Sequence, residues 1–337
     1  MVTTGGWAPR DVKAGLTGSG ASFPDPIYQA WVEQYKGVAP QTTINYQSVG
    51  SGQGKKDFAG KVTDFGGSDA FMTDEELAAA PDALHIPTVL GAVTVIYNLE
   101  GADSLQFSGE TLAGIFLGKI TTWDDAAIAA DNPDVTLPDV PITVVHRSDG
   151  SGTTAIFTDY LSKVSSEWSG AVGSGTAVEW PVGIGGEKNP GVTAGVQQTP
   201  GAIGYVELIY ALSNNLPAPA IKNAQGNYVK PSIESTSAAA AGALAGMPDD
   251  LRVSITDPQD GVDAYPIAGF TWILVHSEMT DKAKAEALTD FLYWALTQGE
   301  EQAAALHYAP LPGQVRDLAI QKLTQVKVDG APVFEAP

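Results

Sequence analysis

Apolar residues recur along the chain with two periods, one typical of strands and one typical of helices. Apolar or alternating runs predict strands at residues 13–16, 43–47, 87–97, 142–145 and 269–276. Apolar residues three or four positions apart predict helices that begin near Pro24, Lys55, Thr73, Ser108, Thr153 and Thr280. Residues 65–69 (FGGSD) show neither period and are predicted to form a loop. Because strands and helices alternate, the pattern predicts an α/β fold.

The length of the chain favours two domains over one. Its 337 residues exceed what a single hydrophobic core usually organises, and 44% of them are hydrophobic. No stretch reaches the roughly 20 apolar residues that are needed to span a bilayer. Residues 1–12 lack the charged and apolar regions of a signal peptide, so for an exported protein we expect this sequence to be the mature form.

The composition argues against several classes of partner and cofactor. Asp and Glu number 39 against 18 Lys and Arg, and a net charge of −21 disfavours nucleic acid and anionic membranes as partners. Such acidity suits either saline surroundings or simple solubility. With no cysteine and with four histidines that lack ligand spacing, the sequence predicts neither a disulfide, nor a lipid-anchored cysteine, nor a metal site. We expect no cofactor.

Three predicted strands end in a glycine- and serine-rich turn that opens a helix. The turns lie at residues 18–23, 50–54 and 149–153. The first N–H groups of a helix lack partners and carry the positive end of its dipole, and glycine lets a ligand approach the backbone. Hydroxyl groups beside these amides add donors, at Ser22, Ser51, Ser151 and Thr153. One such turn is also explained as an ordinary helix cap, but three together indicate an anion site.

Arg147 lies just before the third turn, and Asp149 is its first residue. Arg147 lies four residues before Ser151, and its planar guanidinium suits an oxyanion in a protein otherwise short of positive charge. Asp149 is expected to orient Arg147 and not to contact a ligand, although a role as a cap of the following helix explains it equally well.

Asp69 indicates which anion is bound. A carboxylate repels an anion unless the ligand offers it a hydrogen, and hydrogen phosphate does so whereas sulfate does not. Asp69 is therefore predicted to select phosphate over sulfate. The alternative is that Asp69 merely ends a turn and caps a neighbouring group.

Four motifs together give the chain a family resemblance that runs from about Leu16 to its end. They are Gly18-Ser-Gly-Ala-Ser-Phe-Pro24, Asp64-Phe-Gly-Gly-Ser-Asp69, Arg147-Ser-Asp-Gly-Ser-Gly-Thr153 and Pro200-Gly-Ala-Ile-Gly-Tyr-Val206. In these motifs the chain resembles the periplasmic phosphate-binding proteins of bacterial phosphate-specific ABC transporters. The resemblance implies that phosphate is held by the Ser22 hydroxyl, the Phe23 amide, Ser51, the Asp69 carboxylate, Arg147, Ser151, Gly152 and Thr153.

The resemblance also implies the architecture, which is the type II periplasmic binding protein fold of two α/β lobes joined by two crossing hinge strands. We expect residues 1–15 to form a tail, residues 16–90 and 267–337 a discontinuous lobe I, and residues 91–266 lobe II. The hinges are then expected near Thr88–Ala92 and Tyr265–Ala268.

The implied function is that of a periplasmic, monomeric binding protein and not of an enzyme. It would close on inorganic phosphate, with arsenate as a competitor, and deliver it to the membrane permease of an ABC importer. Two alternatives remain. A receptor for another tetrahedral oxyanion would share the helix-terminus chemistry. A hydrolase with Ser151 as nucleophile and His146 as base is disfavoured, because Ser151 lacks a Gly-x-Ser-x-Gly turn and strand alternation points His146 away from Arg147.

Overall fold

An eight-stranded sheet runs through the molecule in the computed structural model, which describes residues 7–102 and 104–337. The strands are β1 (Ala14–Gly20), β2 (Thr42–Ser48), β3 (Phe65–Ser68), β4 (Ala83–Tyr97), β5 (Gln106–Phe107), β6 (Thr143–Arg147), β7 (Ile184–Gly186), β8 (Ala202–Glu207), β9 (Ala220–Lys222), β10 (Tyr228–Val229), β11 (Ala268–His276), β12 (Glu278–Met279), β13 (Lys327–Val328) and β14 (Ala331–Pro332). The helices are α1 (Asp25–Val38), α2 (Ser51–Ala59), α3 (Asp74–Ala79), α4 (Gly109–Phe116), α5 (Ala126–Asp131), α6 (Gly152–Val164), α7 (Ser166–Ala171), α8 (Lys188–Gln198), α9 (Leu208–Ser213), α10 (Ile233–Ala241), α11 (Lys282–Thr297), α12 (Glu300–Ala305) and α13 (Gly313–Leu323), with a 3-10 turn at Leu244–Gly246.

The order of strands divides the large sheet into two halves. It reads β2-β1-β3-β11-β4-β8-β6-β7. Strands β1, β2 and β3 are mutually parallel on one side, and β6, β7 and β8 are mutually parallel on the other. Two smaller sheets, β10-β9-β5 and β12-β13-β14, lie outside it. The α/β fold is therefore a pair of lobes built on one continuous sheet.

Strand β4 connects the two halves. Its residues 83–92 pair with β11, which also pairs with β3, and its residues 93–97 pair with β8. Both β4 and β11 are buried along almost their whole length, which explains why each is an apolar run without alternation. They are the two central strands that the lobes share.

Aromatic side chains fill the interior on both sides of these strands. Helix α1 buries Ile27, Tyr28, Trp31, Val32 and Tyr35, which recur at helical spacing after the prolines at its start. Tyr35 contacts Phe291 and Trp294 of α11 with ring centroids 5.2 Å apart in both pairs. In the second lobe, Phe157 stacks on Tyr205 at 4.5 Å.

A glycine places helix α2 directly against the sheet. A Cβ on Gly54 would lie 2.4 Å from the Cα of Gly20 and 2.8 Å from the carbonyl oxygen of Ser19, both in β1. No side chain fits in that space, so only glycine lets α2 approach β1 this closely. The approach fixes the start of α2, where Ser51 lies.

The sequence predictions of elements are confirmed for most of the alternation and are wrong at three places. Residues 18–20 were predicted as the start of a turn but belong to strand β1, where they pair with β2 and β3. Residues 65–68 are not a loop but strand β3, which pairs with β1 and β11. Helix α2 spans Ser51–Ala59, whereas the sequence predicted it at residues 55–61. In all three places glycine lowers local propensity, and pairing or packing with the strands of the sheet outweighs that cost.

The segment before β1 is held against the first lobe where the structure describes it. Residues 1–6 of the expected tail lie outside the described residues, and residues 14 and 15 belong to β1. The Arg10 guanidinium donates to Asp290 of α11, with Nη2 2.7 Å from Oδ1. Trp7 packs on Tyr293 with ring centroids 4.6 Å apart. None of the helices in the described part of the chain is long and apolar enough to cross a membrane.

A matched pair of glycine substitutions tests the packing of α2. Gly54→Ala is expected to lower the free energy of unfolding by about 1 to 3 kcal/mol, because the methyl group overlaps β1. Gly37→Ala in α1 is the control, since a Cβ there meets nothing within 4 Å. It is expected to raise the free energy by about 0.5 to 1 kcal/mol. Urea denaturation measures both, and equal effects would contradict the proposed close packing.

Candidate functional site

Four helices begin directly after strands of the large sheet and bring their first turns together. Strands β1, β2, β6 and β7 lead into α1, α2, α6 and α8. At these starts Ser22, Ser51, Ser151 and Asn189 are each at most 2% exposed. The first turn of a helix carries the positive end of its dipole, and its N–H groups have no partners within the helix. The two lobes thus enclose a polar site suited to an anion.

The hydroxyl groups of this site act mainly as acceptors within the protein. Asn189 donates to the Ser22 Oγ from its Nδ2 at 2.9 Å and from its backbone N at 3.2 Å. The Thr153 Oγ1 accepts from Arg147 Nη1 at 3.3 Å and from Asn189 Nδ2 at 3.2 Å. The Ser151 Oγ accepts from Thr154 N at 2.9 Å as the cap of α6. These contacts do not use the hydroxyl hydrogens, which remain as donors for a ligand.

Arg147 supplies the cation and is held in one orientation. It ends β6, and its side chain is 1% exposed. Its Nε and Nη2 donate to the two oxygens of Asp149 at 2.7 and 2.6 Å. Burial of Asp149 favours its neutral form, but the hydrogen bonds and charge of Arg147 outweigh this and hold the pKa of that carboxyl below its ordinary value. Asp149 therefore orients Arg147, while Ser151 caps α6.

Asp69 is a buried acceptor that follows β3. Its Oδ1 accepts from Thr271 Oγ1 at 2.8 Å, and Ser51 Oγ lies 3.4 Å from its Oδ2. Its backbone N donates to the same Ser51 oxygen at 3.2 Å. Burial raises the pKa of Asp69 to about 7, although Thr271, Arg147 and Ser51 oppose this shift. At neutral pH the carboxyl is thus poised between holding and accepting a proton.

The two sides of the site touch one another. The backbone N of Gly52 donates to the carbonyl oxygen of Gly150 at 2.8 Å. A Cβ on Gly152 would lie 2.5 Å from Asp69 Oδ2 and 2.6 Å from Ser51 Oγ. Only glycine at the start of α6 permits this approach. Because these contacts join the two lobes directly, the structure has the closed arrangement of the lobes.

The structure brings all the sequence-predicted site residues into this region. They are Ser22, Phe23, Ser51, Asp69, Arg147, Ser151, Gly152 and Thr153, with Asp149 behind Arg147, and all but Asp149 are buried. Phe23 lies just before α1, and its carbonyl accepts from Tyr308 OH at 2.6 Å.

Two polar residues that the sequence analysis missed complete the site. Asn189 connects Ser22 with Thr153, and its Oδ1 accepts from Glu207 N at 3.0 Å. Thr271 is the donor to Asp69. Two signals in the sequence pointed to them. Asn189 follows a Gly-Gly pair at a helix start, and Thr271 interrupts the otherwise apolar β11.

The arrangement does not resemble a hydrolase site. The His146 ring stacks on Trp180 with centroids 4.9 Å apart, and its Nδ1 lies 3.0 Å from the Arg147 carbonyl oxygen. The Ser151 oxygen is occupied by the N–H of Thr154. Within residues 7–102 and 104–337, no group of three or more His, Cys, Asp or Glu side chains could hold a metal ion.

Comparisons with known proteins decide the family. Residues 7–298 match the PBP superfamily domain. The phosphate-binding protein PstS of Xylella fastidiosa (strain 9a5c) is 45% identical over 299 residues, which cover 88% of this chain and 81% of that protein. This chain belongs to the PstS family. PstS proteins are substrate-binding proteins, so the chain is not an enzyme.

Solved structures show that the chain has the two-lobed PBP fold of its family. A Clostridium perfringens protein, assigned as a phosphate ABC transporter substrate-binding protein and solved with bound phosphate, has a TM-score of 0.65 at 19% identity and covers 89% of this chain and 100% of its own. The high-affinity periplasmic phosphate-binding protein PfluDING, also solved with phosphate, has a TM-score of 0.70 at 23% identity over 90% and 92% of the two chains. At these identities the likeness concerns the fold alone.

The raised pKa of Asp69 predicts how its contribution to stability changes with pH. Below pH 4 the carboxyl is protonated in both the folded and the unfolded chain. Between pH 4 and pH 7 only the folded protein retains the proton, so the free energy of unfolding falls as the pH rises, by about 4 kcal/mol at most. Above pH 7 the loss is complete and constant.

Urea denaturation without phosphate at pH 5 and pH 8 measures this contribution. The Asp69→Asn variant is expected to lose less stability than the wild type between the two pH values, because it has no proton to release. Asp317→Asn is the control, since the Asp317 side chain is 75% exposed. The same pH dependence in wild type and Asp69→Asn would show that Asp69 does not have the raised pKa.

Proposed function

We propose that the protein binds inorganic phosphate between its two lobes and delivers it to an ABC-type importer. One observation carries this proposal, which is that hydroxyl donors, a fixed guanidinium and a buried carboxyl acceptor surround one closed site. Hydrogen phosphate is tetrahedral, needs many donors and offers one hydrogen, and this combination matches the groups present. The names of the PstS relatives support the same ligand.

In this proposal each lobe supplies part of the ligand shell. Ser22, the Phe23 amide, Ser51 and Asp69 contribute from lobe I, and Arg147, Ser151, Gly152 and Thr153 contribute from lobe II. Asp69 accepts the P–OH hydrogen, and the other groups donate. Asn189 does not need to touch phosphate. It donates to the oxygens of Ser22 and Thr153, so the hydrogens of both hydroxyl groups remain available to phosphate.

The affinity follows from hydrogen bonds more than from net charge. Arg147 is already paired with Asp149, so the site holds little excess positive charge. Each charge-assisted hydrogen bond contributes about 1.5 to 3 kcal/mol. Several of them reach the roughly 8 kcal/mol of a micromolar complex after the costs of ordering.

The proposed lobe boundaries follow the strand pairing. We assign residues 16–90 and 267–337 to lobe I and residues 91–266 to lobe II, with hinges near residues 88–92 and 265–268. This division is supported by β4, which changes its partner from β11 to β8 between residues 92 and 93. Opening at these points would expose the site for exchange of ligand.

The remaining parts of the proposal concern the surroundings of the protein. It would act as a monomer in the periplasm, with a membrane permease as its protein partner and arsenate as a competing ligand. Support comes from the PstS family to which the chain belongs, since PstS-type binding proteins are periplasmic or extracytoplasmic. The net charge of −21 is consistent with a partner other than nucleic acid.

Titration calorimetry with phosphate, arsenate and sulfate tests the ligand and the role of Asp69. The wild type is expected to bind phosphate at least a hundredfold more tightly than sulfate, because sulfate has no hydrogen to offer Asp69. Asp69→Asn is expected to reduce the ratio of the phosphate affinity to the sulfate affinity about tenfold or more, since an amide can donate to sulfate. Strong sulfate binding by the wild type would contradict phosphate as the ligand. Unchanged selectivity in the variant would contradict the role of Asp69, and turnover of a phosphomonoester would favour a hydrolase.

Substitutions of Arg147 test the cation separately from selectivity. Arg147→Ala is expected to weaken phosphate and arsenate equally, by about a hundredfold, because it removes a charged donor and leaves Asp149 unpaired. Arg147→Lys retains the charge but not the planar fork, so an intermediate loss is expected. Calorimetry gives both affinities. A loss for only one of the two anions would contradict a general role for Arg147.

A further inference from the structure

The lobes do not meet along the whole cleft. A cavity of about 420 Å³ lies between them and borders Asp69. Phe71, Thr73 and Trp272 line it from lobe I, and Ile156 and Thr176 line it from lobe II. At the anion site the backbones of Gly52 and Gly150 are in direct contact, but here packing leaves a gap. A contact that spans this gap therefore stabilises closure on a side of the cleft where the lobes do not pack directly on each other.

One chain segment crosses the cleft beside this cavity. We call residues 250–256 the strap, and Val253 to Thr256 form part of the cavity wall. At its lobe II end, Ser254 Oγ donates to Asp159 Oδ2 at 2.6 Å, and Lys163 Nζ donates to Thr256 Oγ1 at 2.7 Å. Both partners belong to α6, the helix that starts at the anion site.

The other end of the strap contacts lobe I. Arg252 Nη1 donates to the Met72 carbonyl oxygen at 2.8 Å and to Asp74 Oδ1 at 2.9 Å. Trp272 Nε1 donates to the Leu251 carbonyl oxygen at 3.0 Å. Leu251 has a φ of 61°, a backbone conformation that is uncommon for a residue with a side chain. These contacts hold the strap on the first lobe.

We infer that Arg252 is a positioning residue for closure, which sets the affinity for phosphate and its release rate without touching the anion. The inference rests on the proposed function for its ligand. The Asp250 carboxylate holds the guanidinium from within the strap, with Nε 2.8 Å from Oδ2, so that Nη1 is directed at the first lobe. If the lobes separate about the proposed hinges, the bonds to Met72 and Asp74 break. They therefore stabilise the closed state alone.

The main-chain bond is the stronger of the two contacts. The Arg252 side chain is 19% exposed, whereas the Asp74 side chain is 92% exposed, so solvent screens their ion pair. The Met72 carbonyl has no charge to be screened and lies just after Asp69, in the loop that leads to α3. Loss of Arg252 removes both contacts, and loss of the Asp74 charge removes only the weaker one.

Phosphate enters and leaves through the open state, and closure retains it, so the apparent affinity rises with the equilibrium constant for closure. Arg252→Ala is expected to weaken phosphate binding about tenfold, which corresponds to the loss of one charge-assisted hydrogen bond. Arsenate should weaken by the same factor, because no contact to the anion has changed. The weaker affinity is expected to result from faster dissociation of the ligand, with little change in the association rate.

The experiment compares Arg252→Ala, Arg252→Lys and Asp74→Asn with the wild type. Calorimetry measures the affinities, stopped-flow fluorescence measures the dissociation rate, and small-angle scattering without ligand measures how open the protein is. Arg252→Lys retains the charge but not the planar guanidinium and is expected to weaken phosphate binding about threefold, and Asp74→Asn is expected to weaken it at most about threefold. Arg316→Ala is the matched control, because Arg316 is 25% exposed and pairs with Glu300 and Asp317 in its own lobe.

Three results would support the inference together. They are the equal loss for phosphate and arsenate, the faster dissociation, and a larger radius of gyration of ligand-free Arg252→Ala than of the wild type, with Arg316→Ala unchanged. Affinity and dimensions of Arg252→Ala within error of the wild type would overturn it. The scattering comparison needs no ligand, so it tests closure even if the wild type fails to bind phosphate. Failure of the wild type to bind phosphate would contradict the proposed function instead.

Discussion

The buried pair of Arg147 and Asp149 is the interaction on which the rest of the site depends. A cation with a side chain 1% exposed is costly unless it is paired, and Asp149 provides that partner through two parallel hydrogen bonds. The pair fixes the guanidinium and at the same time cancels most of its charge. An anion in this cleft must therefore be stabilised by helix starts and hydroxyl groups, whose dipoles the fold holds in place around the site. This explains how a protein with a net charge of −21 can hold an anion.

The fold places those dipoles by means of close backbone approaches. Gly54 lets α2 pack on β1, and Gly152 lets α6 approach Asp69 and Ser51 from the opposite lobe. At each place a methyl group would occupy the space that the site requires. The glycines that lower local helix propensity are thus the residues that make the anion site possible. Local stability has been exchanged for geometry, as is common at functional sites.

The sequence alone allowed prediction where the chemistry is local. The turns before α1, α2 and α6 combine glycine, hydroxyl residues and a strand end within a few positions, so their role as helix starts is visible in the residue pattern. Strand β3 was missed because Phe65-Gly-Gly-Ser68 has no strand character of its own and becomes extended by pairing on both sides. Asn189 was missed because β7, which precedes α8, is a three-residue edge strand with two glycines. Its contact with Ser22 joins residues 167 positions apart, a relation that no local pattern contains.

Selectivity and affinity involve different parts of the cleft in the proposed mechanism. Asp69 distinguishes ligands by whether they offer a hydrogen, and that distinction exists only when the lobes exclude water. The strap acts on closure itself. Because Arg252 contacts lobe I away from the anion, closure can change without a change in the ligand shell. A delivery protein must bind tightly and still release its ligand to a partner. Both are possible when closure and ligand contact depend on different residues. A partner that separated the lobes at the strap would lower the affinity for phosphate without competing for any group that contacts it.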